Sequence, residues 1–325
     1  MVENINRDRL VSIALATYNG EKFLREQLDS IVNQSYTNME LVVVDDCSTD
    51  GTIDILEQYF SKINIKLYRH KKNSGFVKAF EKALGMCSGL YIALCDQDDI
   101  WEKNKIEQLV NVINGYSLVY SDASLIDSYG TIFIESMHKY YEISKRSDIG
   151  FKDLVFNNYI VGCCSLFKRD LLNDALPFPP DLMVHDWWIA LIASKKGRIK
   201  YYDKPLLRYR QHANNLIGIG KSNGILKNIV WFLKKDKVKC NKYKVRHILL
   251  KCIINHKIIQ QDDQHFIKSA MEYYESYYVS KKLVRHFILT LKHFKHLYIK
   301  RRIYFYTKER LHILFHKLGN SIRLE

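Results

Sequence analysis

Four short apolar runs, separated by segments with a helical period, constrain the first hundred residues more than any other feature. Leu10 to Ala16, Leu41 to Val44 and Tyr91 to Cys95 are almost wholly apolar, Ile63 to Tyr68 alternates apolar with polar residues, and all are too short for buried helices. They read as strands. Between them, Phe23, Leu24, Leu28 and Ile31 keep a 3.6-residue period, as do Ile55, Leu56 and Tyr59, then Phe80 and Leu84. Strands alternating with helices over short connections build a parallel sheet through right-handed crossovers. The expected fold class is therefore α/β, a mostly parallel sheet flanked by helices, and such sheets collect ligands at the carboxyl ends of their strands.

The fourth run ends in Asp96-Gln97-Asp98-Asp99-Ile100-Trp101, three carboxylates within four residues. Like charges crowded at a strand end need compensation, and hard oxygen ligands suit Mg²⁺ or Mn²⁺. A helix N-cap explains one Asp, and Asp99 fits that role, but a cap does not explain three. The first strand ends in Ala16-Thr17-Tyr18-Asn19 and the second in Asp45-Asp46, so three special segments share one rim. A flat ring at Tyr18, an acceptor at Asp46 and a cation site suit a nucleotide diphosphate. Separately, Tyr18 also suits core packing and Asp46 a turn. No Walker-type glycine loop and no dinucleotide fingerprint follows the first strand, which argues against an NTPase or a dehydrogenase.

Charge divides the chain. Residues 221–325 hold 24 Lys or Arg against 7 Asp or Glu, while residues 1–220 hold 26 against 28. Together with the Gly218 to Gly224 cluster, this predicts a domain over 1–217 and a basic, mainly helical region over 218–325. The seven cysteines lack metal-type spacing and read as reduced thiols, and Cys163-Cys164 as small apolar packing. The first eight residues carry acids and no apolar core, unlike a signal peptide. No apolar run approaches the roughly 20 residues of a membrane span. The expected location is cytoplasmic, at the inner face of the cell membrane. The basic charge by itself suggests nucleic-acid binding, but no binding module is recognisable and the acidic cluster would go unexplained, so no nucleic-acid partner is expected.

These motifs resemble those of the family 2 glycosyltransferases of GT-A (Rossmann-like) fold. The resemblance rests on Val11 to Gly20, Gln27 to Ile31, Asp45-Asp46-Cys47-Ser48-Thr49-Asp50-Gly51-Thr52 and Asp96-Gln97-Asp98-Asp99, in consistent order across about the first 215 residues. It implies an inverting transfer from a nucleotide sugar. The implied donor-binding residues are Ala16, Thr17, Tyr18, Asp46, Lys78, Asp96 and Gln97. Asp98 becomes the metal ligand of an Asp-x-Asp motif. His212, in the turn that closes the domain, could approach the metal or the diphosphate, and also suits a solvated basic turn.

The same family places its base in an acidic pair before a helix. Here the sequence reads Val184-His185-Asp186-Trp187-Trp188, with His185 in the place of the usual Glu, which leaves Asp186 as the base. An acceptor hydroxyl ionises far above pH 7, so a carboxylate must take its proton as attack proceeds. Asp186 also fits a helix N-cap. Trp187 and Trp188 are expected at the acceptor site, where aromatic faces pack against sugar C–H groups, although one of them suits the core. Arg208 or Arg210 could meet the phosphates. The processive members' Gln-x-x-Arg-Trp motif is absent, which favours one sugar per encounter. Cys95 to Trp101, His185 to Trp188 and Tyr209 to Asn215 look most like the bacterial rhamnosyltransferase branch. That likeness implies dTDP-L-rhamnose as donor, with a UDP-hexose or UDP-N-acetylhexosamine as the rival, and a lipid-linked or saccharide acceptor. The mixed apolar and cationic stretches at Ile225 to Lys235 and Val284 to Phe294 suit peripheral attachment to an anionic membrane.

Overall fold

The computed structural model describes residues 9–141, 149–212, 235–278 and 283–293. The amino-terminal half alternates as expected: β1 (Val11–Thr17), α1 (Glu21–Val32), β2 (Met39–Asp45), α2 (Thr52–Glu57), β3 (Ile65–Arg69), α3 (Phe76–Met86) and β4 (Tyr91–Cys95). There follow β5 (Ile100–Trp101), α4 (Lys105–Val112), β6 (Leu118–Ile126), β7 (Ile132–Ile134), α5 (Met137–Tyr140) and α6 (Phe151–Phe156). A 3₁₀ turn (Gly162–Cys164), β8 (Ser165–Lys168), α7 (Leu172–Ala175), α8 (His185–Lys196) and β9 (Ile199–Arg210) complete the sheet domain.

One nine-stranded sheet runs β3-β2-β1-β4-β8-β6-β9-β5, with β7 paired to β6. β1 to β4 pair in parallel, whereas β8 is antiparallel to both β4 and β6, and β5 is antiparallel to β9. The sheet is thus parallel through its first half and mixed through its second. Side chains alternate between the two faces with the two-residue period of a strand. Val42, Val44, Ile92 and Leu94 join the core under α3, α6 and α8. Leu41, Val43, Tyr91, Ala93 and Cys95 join the core under α1 and α4. Both faces are covered, which is why these strands read as continuous apolar runs.

Beyond residue 218 the described chain is helical: α9 (Lys235–Ile254), α10 (Gln261–Tyr278) and α11 (Leu283–Lys292). The linker expected at 218–224 and the Trp231-containing basic stretch lie outside the described residues. Among the described residues, these helices pack into the core of the sheet domain. Leu249, Leu250 and Ile253 of α9 and Ile267, Ala270 and Tyr274 of α10 share a core with Leu154, Phe156 and Trp188. The Tyr274 hydroxyl donates to Phe156 O at 2.8 Å. Charge therefore marks a change of surface at this point, while the apolar interior runs across it.

At the amino ends of the strands, Glu40 is buried (1% exposed) and accepts from Ser12 Oγ (2.5 Å), Ser88 N and Oγ (2.8 Å each) and Lys66 Nζ (2.7 Å). Burial alone would raise its pKa, but these donors outweigh burial and hold it at about 2, against 4.5 for a free Glu. A depressed carboxyl contributes stability that is present above its unfolded pKa and lost as pH falls through the folded one. Stability on the order of 3 kcal/mol is therefore expected to disappear between about pH 4.5 and 2. In denaturant melts across that range, Glu40→Gln should flatten the slope; an unchanged slope would remove Glu40 as its source.

Candidate active site

The rim expected from the strand order is built by three loops laced together through side chains. After β1 the chain turns through Asn19 in the left-handed region (φ 46°), and Asn19 Oδ1 accepts from Thr49 N at 2.8 Å. Gln97 bridges the first and third loops, accepting from Tyr18 N (2.9 Å) and donating to Tyr18 O (3.1 Å). Gly20 is required for that approach, since a Cβ there would lie 2.7 Å from Gln97 Cδ. Tyr18 itself projects from the rim, 46% exposed, with its ring open to a stacking partner.

Several expected donor residues are occupied by the protein. Thr17 is buried and donates its hydroxyl to Asp45 Oδ1 at 3.0 Å, while Ala16 sits half-buried within β1 opposite Val44. The Asp46 carboxylate accepts from His70 Nδ1 (2.7 Å), Ser74 N (2.9 Å) and Gly75 N (2.7 Å). Three of its roughly four acceptor sites are thus taken, and Asp46 anchors the loop before α3. Lys78, on the first turn of α3, is exposed and paired with Glu81 at 2.6 Å. It lines a cavity of about 450 Å³ with His70, Ser74 and Glu81, beside the Asp46 loop.

The acidic turn splits into two levels. Asp96 and Asp98 are half-buried, whereas Asp99 is fully buried beneath them. Asp99 is not the cap expected from sequence, because α4 begins at Lys105 with Asn104 before it. Its Oδ1 accepts from Arg210 N at 3.0 Å, and its Oδ2 is buried without a partner. Arg210 is 0% exposed, and its guanidinium donates to Asp98 O (2.7 Å) and to Glu26 (2.8 Å). The phosphate contact considered for Arg210 is therefore replaced by a structural one. Arg208 pairs with Glu102 at 2.7 Å.

His212, two residues past Arg210, places Nε2 2.8 Å from Asp98 Oδ2. An imidazole and a carboxylate meeting at the same half-buried point form an O/N donor pair that fits a divalent cation. Asp96, Asp99 and Cys163 also bring ligand atoms within 4.8 Å of one another. That set lies mostly beneath the turn, with Cys163 2% exposed and one Asp99 oxygen already engaged, so Asp98 and His212 are the better-placed holders. Asp96 is pushed up to about 7 by burial first, then by the charges of Asp98 and Asp186. A cation here would offset that crowding.

Asp186 faces the acidic turn from α8. It is the second residue of the helix, not its N-cap, which is Val184. Its Oδ2 accepts from Gly162 N (3.1 Å) and its Oδ1 from Asn158 Nδ2 (3.3 Å) and from Trp187 N (2.6 Å). Burial raises its pKa from 3.8 to about 6, while those donors limit the rise. His185 beside it is stacked 4.1 Å from Phe80, and burial lowers its pKa to about 3, so it stays a neutral ring.

The acceptor-site expectation for Trp187 and Trp188 is corrected. They are 6% and 1% exposed, and their indole N–H groups donate to Leu154 O (2.7 Å) and Ala175 O (3.0 Å). Large rings whose one polar atom finds a backbone carbonyl gain more from burial than from lining a wet cleft. Lys105, fully buried under the acidic turn, and Glu26 had no part in the sequence reading. Lys105 sits on the apolar face of α4 with Ile106, Leu109 and Val110, a cation where the helical period calls for an aliphatic residue. That mismatch was the available signal.

With Asp186 ionised above about pH 6 and protonated below it, proton abstraction requires the upper range. The rate of any reaction using Asp186 as base should fall about tenfold per unit as pH drops below that point. A flat kcat/KM profile from pH 7 to 5 would exclude this role.

Comparisons with known proteins identify the family. The family model described as "Glycosyl transferase family 2" matches residues 12–176. The chain is 32% identical over 243 residues to the dTDP-rhamnosyl transferase RfbG of Shigella flexneri, covering 68% of this chain and 81% of that one. It is 33% identical over 199 residues to the Escherichia coli UDP-Glc:alpha-D-GlcNAc-diphosphoundecaprenol beta-1,3-glucosyltransferase WfgD, covering 59% and 72%. The solved mannosyltransferase PcManGT from Pyrobaculum calidifontis, in complex with GDP-Man and Mn²⁺, superposes with a TM-score of 0.54 at 17% identity, over 98% of this chain and 88% of that one. The match, over half of the chain, makes this protein a member of glycosyl transferase family 2.

Proposed function

We propose that this chain is an inverting, non-processive glycosyltransferase that moves one sugar from a nucleotide sugar to a saccharide or lipid-linked acceptor in bacterial surface polysaccharide synthesis. The carrying observation is Asp186, a carboxylate with a raised pKa, oriented by Gly162 N and Asn158 and facing the Asp96–Asp98 turn. As the acceptor oxygen bonds to the anomeric carbon, Asp186 takes its proton, and the bond to the diphosphate oxygen breaks on the opposite face. Attack from one side with departure on the other inverts the anomeric centre. Tyr18, open at the rim, stacks on the base, and Gln97 holds the Tyr18 backbone for it. Mg²⁺ or Mn²⁺ held by Asp98 and His212 would supply charge neutralisation at the diphosphate as a Lewis acid. Lys78 lies at the donor end of the rim, close to the Asp46 loop.

The preferred donor is dTDP-L-rhamnose, supported by the motif resemblance and by the 32% identity to RfbG. A UDP-hexose is the second reading, supported by the 33% identity to WfgD, whose acceptor is a diphosphoundecaprenol-linked sugar. A lipid-linked acceptor is supported also by α11, where Ile288 and Leu291 are each 59% exposed beside Arg285 and Lys292. No helix among the described residues is long and apolar enough to cross a membrane, so we place the enzyme peripherally on the inner membrane face.

A panel of dTDP- and UDP-sugars assayed with Mn²⁺ and Mg²⁺ tests the activity. Turnover with dTDP-rhamnose above the UDP-sugars is expected, and no binding of any nucleotide sugar would defeat the whole reading. Asp186→Asn should cut transfer by about 10²–10⁴-fold with donor binding intact, and Asp98→Ala should abolish the metal dependence of donor binding. Sedimentation with anionic vesicles should bring down the wild type and leave Ile288→Asp/Leu291→Asp in solution; equal sedimentation would remove α11 as the anchor.

A further inference from the structure

Lys105 stands at the start of α4 with its side chain 0% exposed, directly beneath the acidic turn. Its Nζ donates to Cys163 O at 2.5 Å and lies 3.4 Å from the Trp101 ring centroid. Burial lowers its pKa from the usual 10.5, opposed by its electrostatic neighbours Cys164, Cys163, Cys95 and the Asp99 carboxyl. Burying an amine is costly, and an apolar side chain of similar volume in such a place is often no less stable. Stability alone is therefore a weak reason for a lysine here.

The contact it makes leads elsewhere. Cys163 belongs to the 3₁₀ turn whose first residue, Gly162, donates its N–H to Asp186 Oδ2 at 3.1 Å. The turn is packed tightly against that carboxylate: a Cβ on Gly162 would lie 3.0 Å from Asp186 Cβ and 3.3 Å from Leu94 Cδ1. Ser165 Oγ closes it by donating to Gly162 O at 2.7 Å. One short turn thus carries Lys105 on one side and Asp186 on the other.

We propose that Lys105 is a positioning residue for transfer, setting the place of the Asp186 carboxylate through the Cys163 carbonyl and the Gly162–Cys164 turn. The proposal rests on Asp186 acting as the base. Without the Nζ donor, the buried Cys163 carbonyl loses its partner and the turn relaxes, which moves the Gly162 N–H away from Asp186. The donor half of the cleft, built by Tyr18, Gln97, Asp98 and His212, is held by contacts that do not include Lys105, so its geometry is expected to persist even though the Lys105 charge also acts on Asp96 and Asp99.

The test is a double-mutant cycle on the full chain, with transfer and nucleoside diphosphate–Mn²⁺ affinity measured separately. Lys105→Met keeps the volume and removes the donor. It should lower kcat by about 10²-fold, the scale of a base displaced by about an ångström, and leave the nucleoside diphosphate Kd within about threefold. In an Asp186→Asn background the same substitution should cost nothing further, because its effect passes through that carboxylate. Gly162→Ala pushes the turn from the opposite side and should give the same split, which keeps the proposal testable if Lys105→Met does not fold. Wild-type kcat in Lys105→Met, or a full additional loss on top of Asp186→Asn, would overturn it. Full transfer by Asp186→Asn itself would instead remove the base assignment, a separate failure visible in the same cycle.

Discussion

Much of this structure depends on a guanidinium that never meets solvent. Arg210 ends the last strand of the sheet domain, and its side chain reaches Asp98 O and Glu26 while its N–H holds Asp99. It lies against the Phe23 ring at 4.6 Å, so one residue ties α1, the acidic turn and β9 together. A planar group with five fixed donors can satisfy backbone and carboxylate acceptors at once, which a lysine ammonium cannot match in geometry. Because His212 follows two residues later, the strand that fixes the turn also delivers the imidazole to Asp98.

Around that anchor the carboxylates are graded by depth. Asp99 is buried, its pKa raised well above the usual value by burial first and then by Asp98 and Asp96. Asp96 and Asp98 stand half-buried above it, and Asp186 looks across from α8. Carboxylates that share a small volume cannot all ionise freely, so each added charge raises its neighbours. A cation would offset that crowding, while burial raises the Asp186 carboxyl on α8 to about 6, within reach of neutral pH. The same crowding sets a demand on the backbone, since Asp186 needs donors that do not themselves carry charge. Gly162 N and Asn158 meet it.

Most of the fold was legible because strand burial on both faces writes itself as uninterrupted aliphatic runs, as in Leu41 to Val44 and Tyr91 to Cys95. Tyr18, Asp98 and Asp186 stood out in the sequence as polar residues at the ends of elements, and the structure brings Asp98 and His212 within 2.8 Å of one another. The contacts of the other candidate residues were not legible. Trp187 and Trp188 were read from their chemistry, but a helix buried along most of its surface turns both rings inward. Thr17 and Asp46 sit where a ligand would approach, yet their oxygens are already committed to Asp45 and to the His70–Gly75 loop. Which acceptor a side chain serves is a matter of neighbours distant in sequence.

The order of strands and helices through the first hundred residues, and the acidic turn at the end of the fourth strand, were set by the sequence by itself, because periodicity and turn chemistry act over neighbours within a few residues. The tertiary structure alone decided which carboxylate faces the cleft and which lies beneath it. It alone joined the C-terminal helices to the core of the sheet domain across a boundary that charge had marked. It alone brought Lys105, Cys163, Gly162 and Asp186 into one line of contacts spanning some eighty residues of sequence. Long-range contacts of that kind are fixed by packing and by the satisfaction of buried polar groups, neither of which has a local signature.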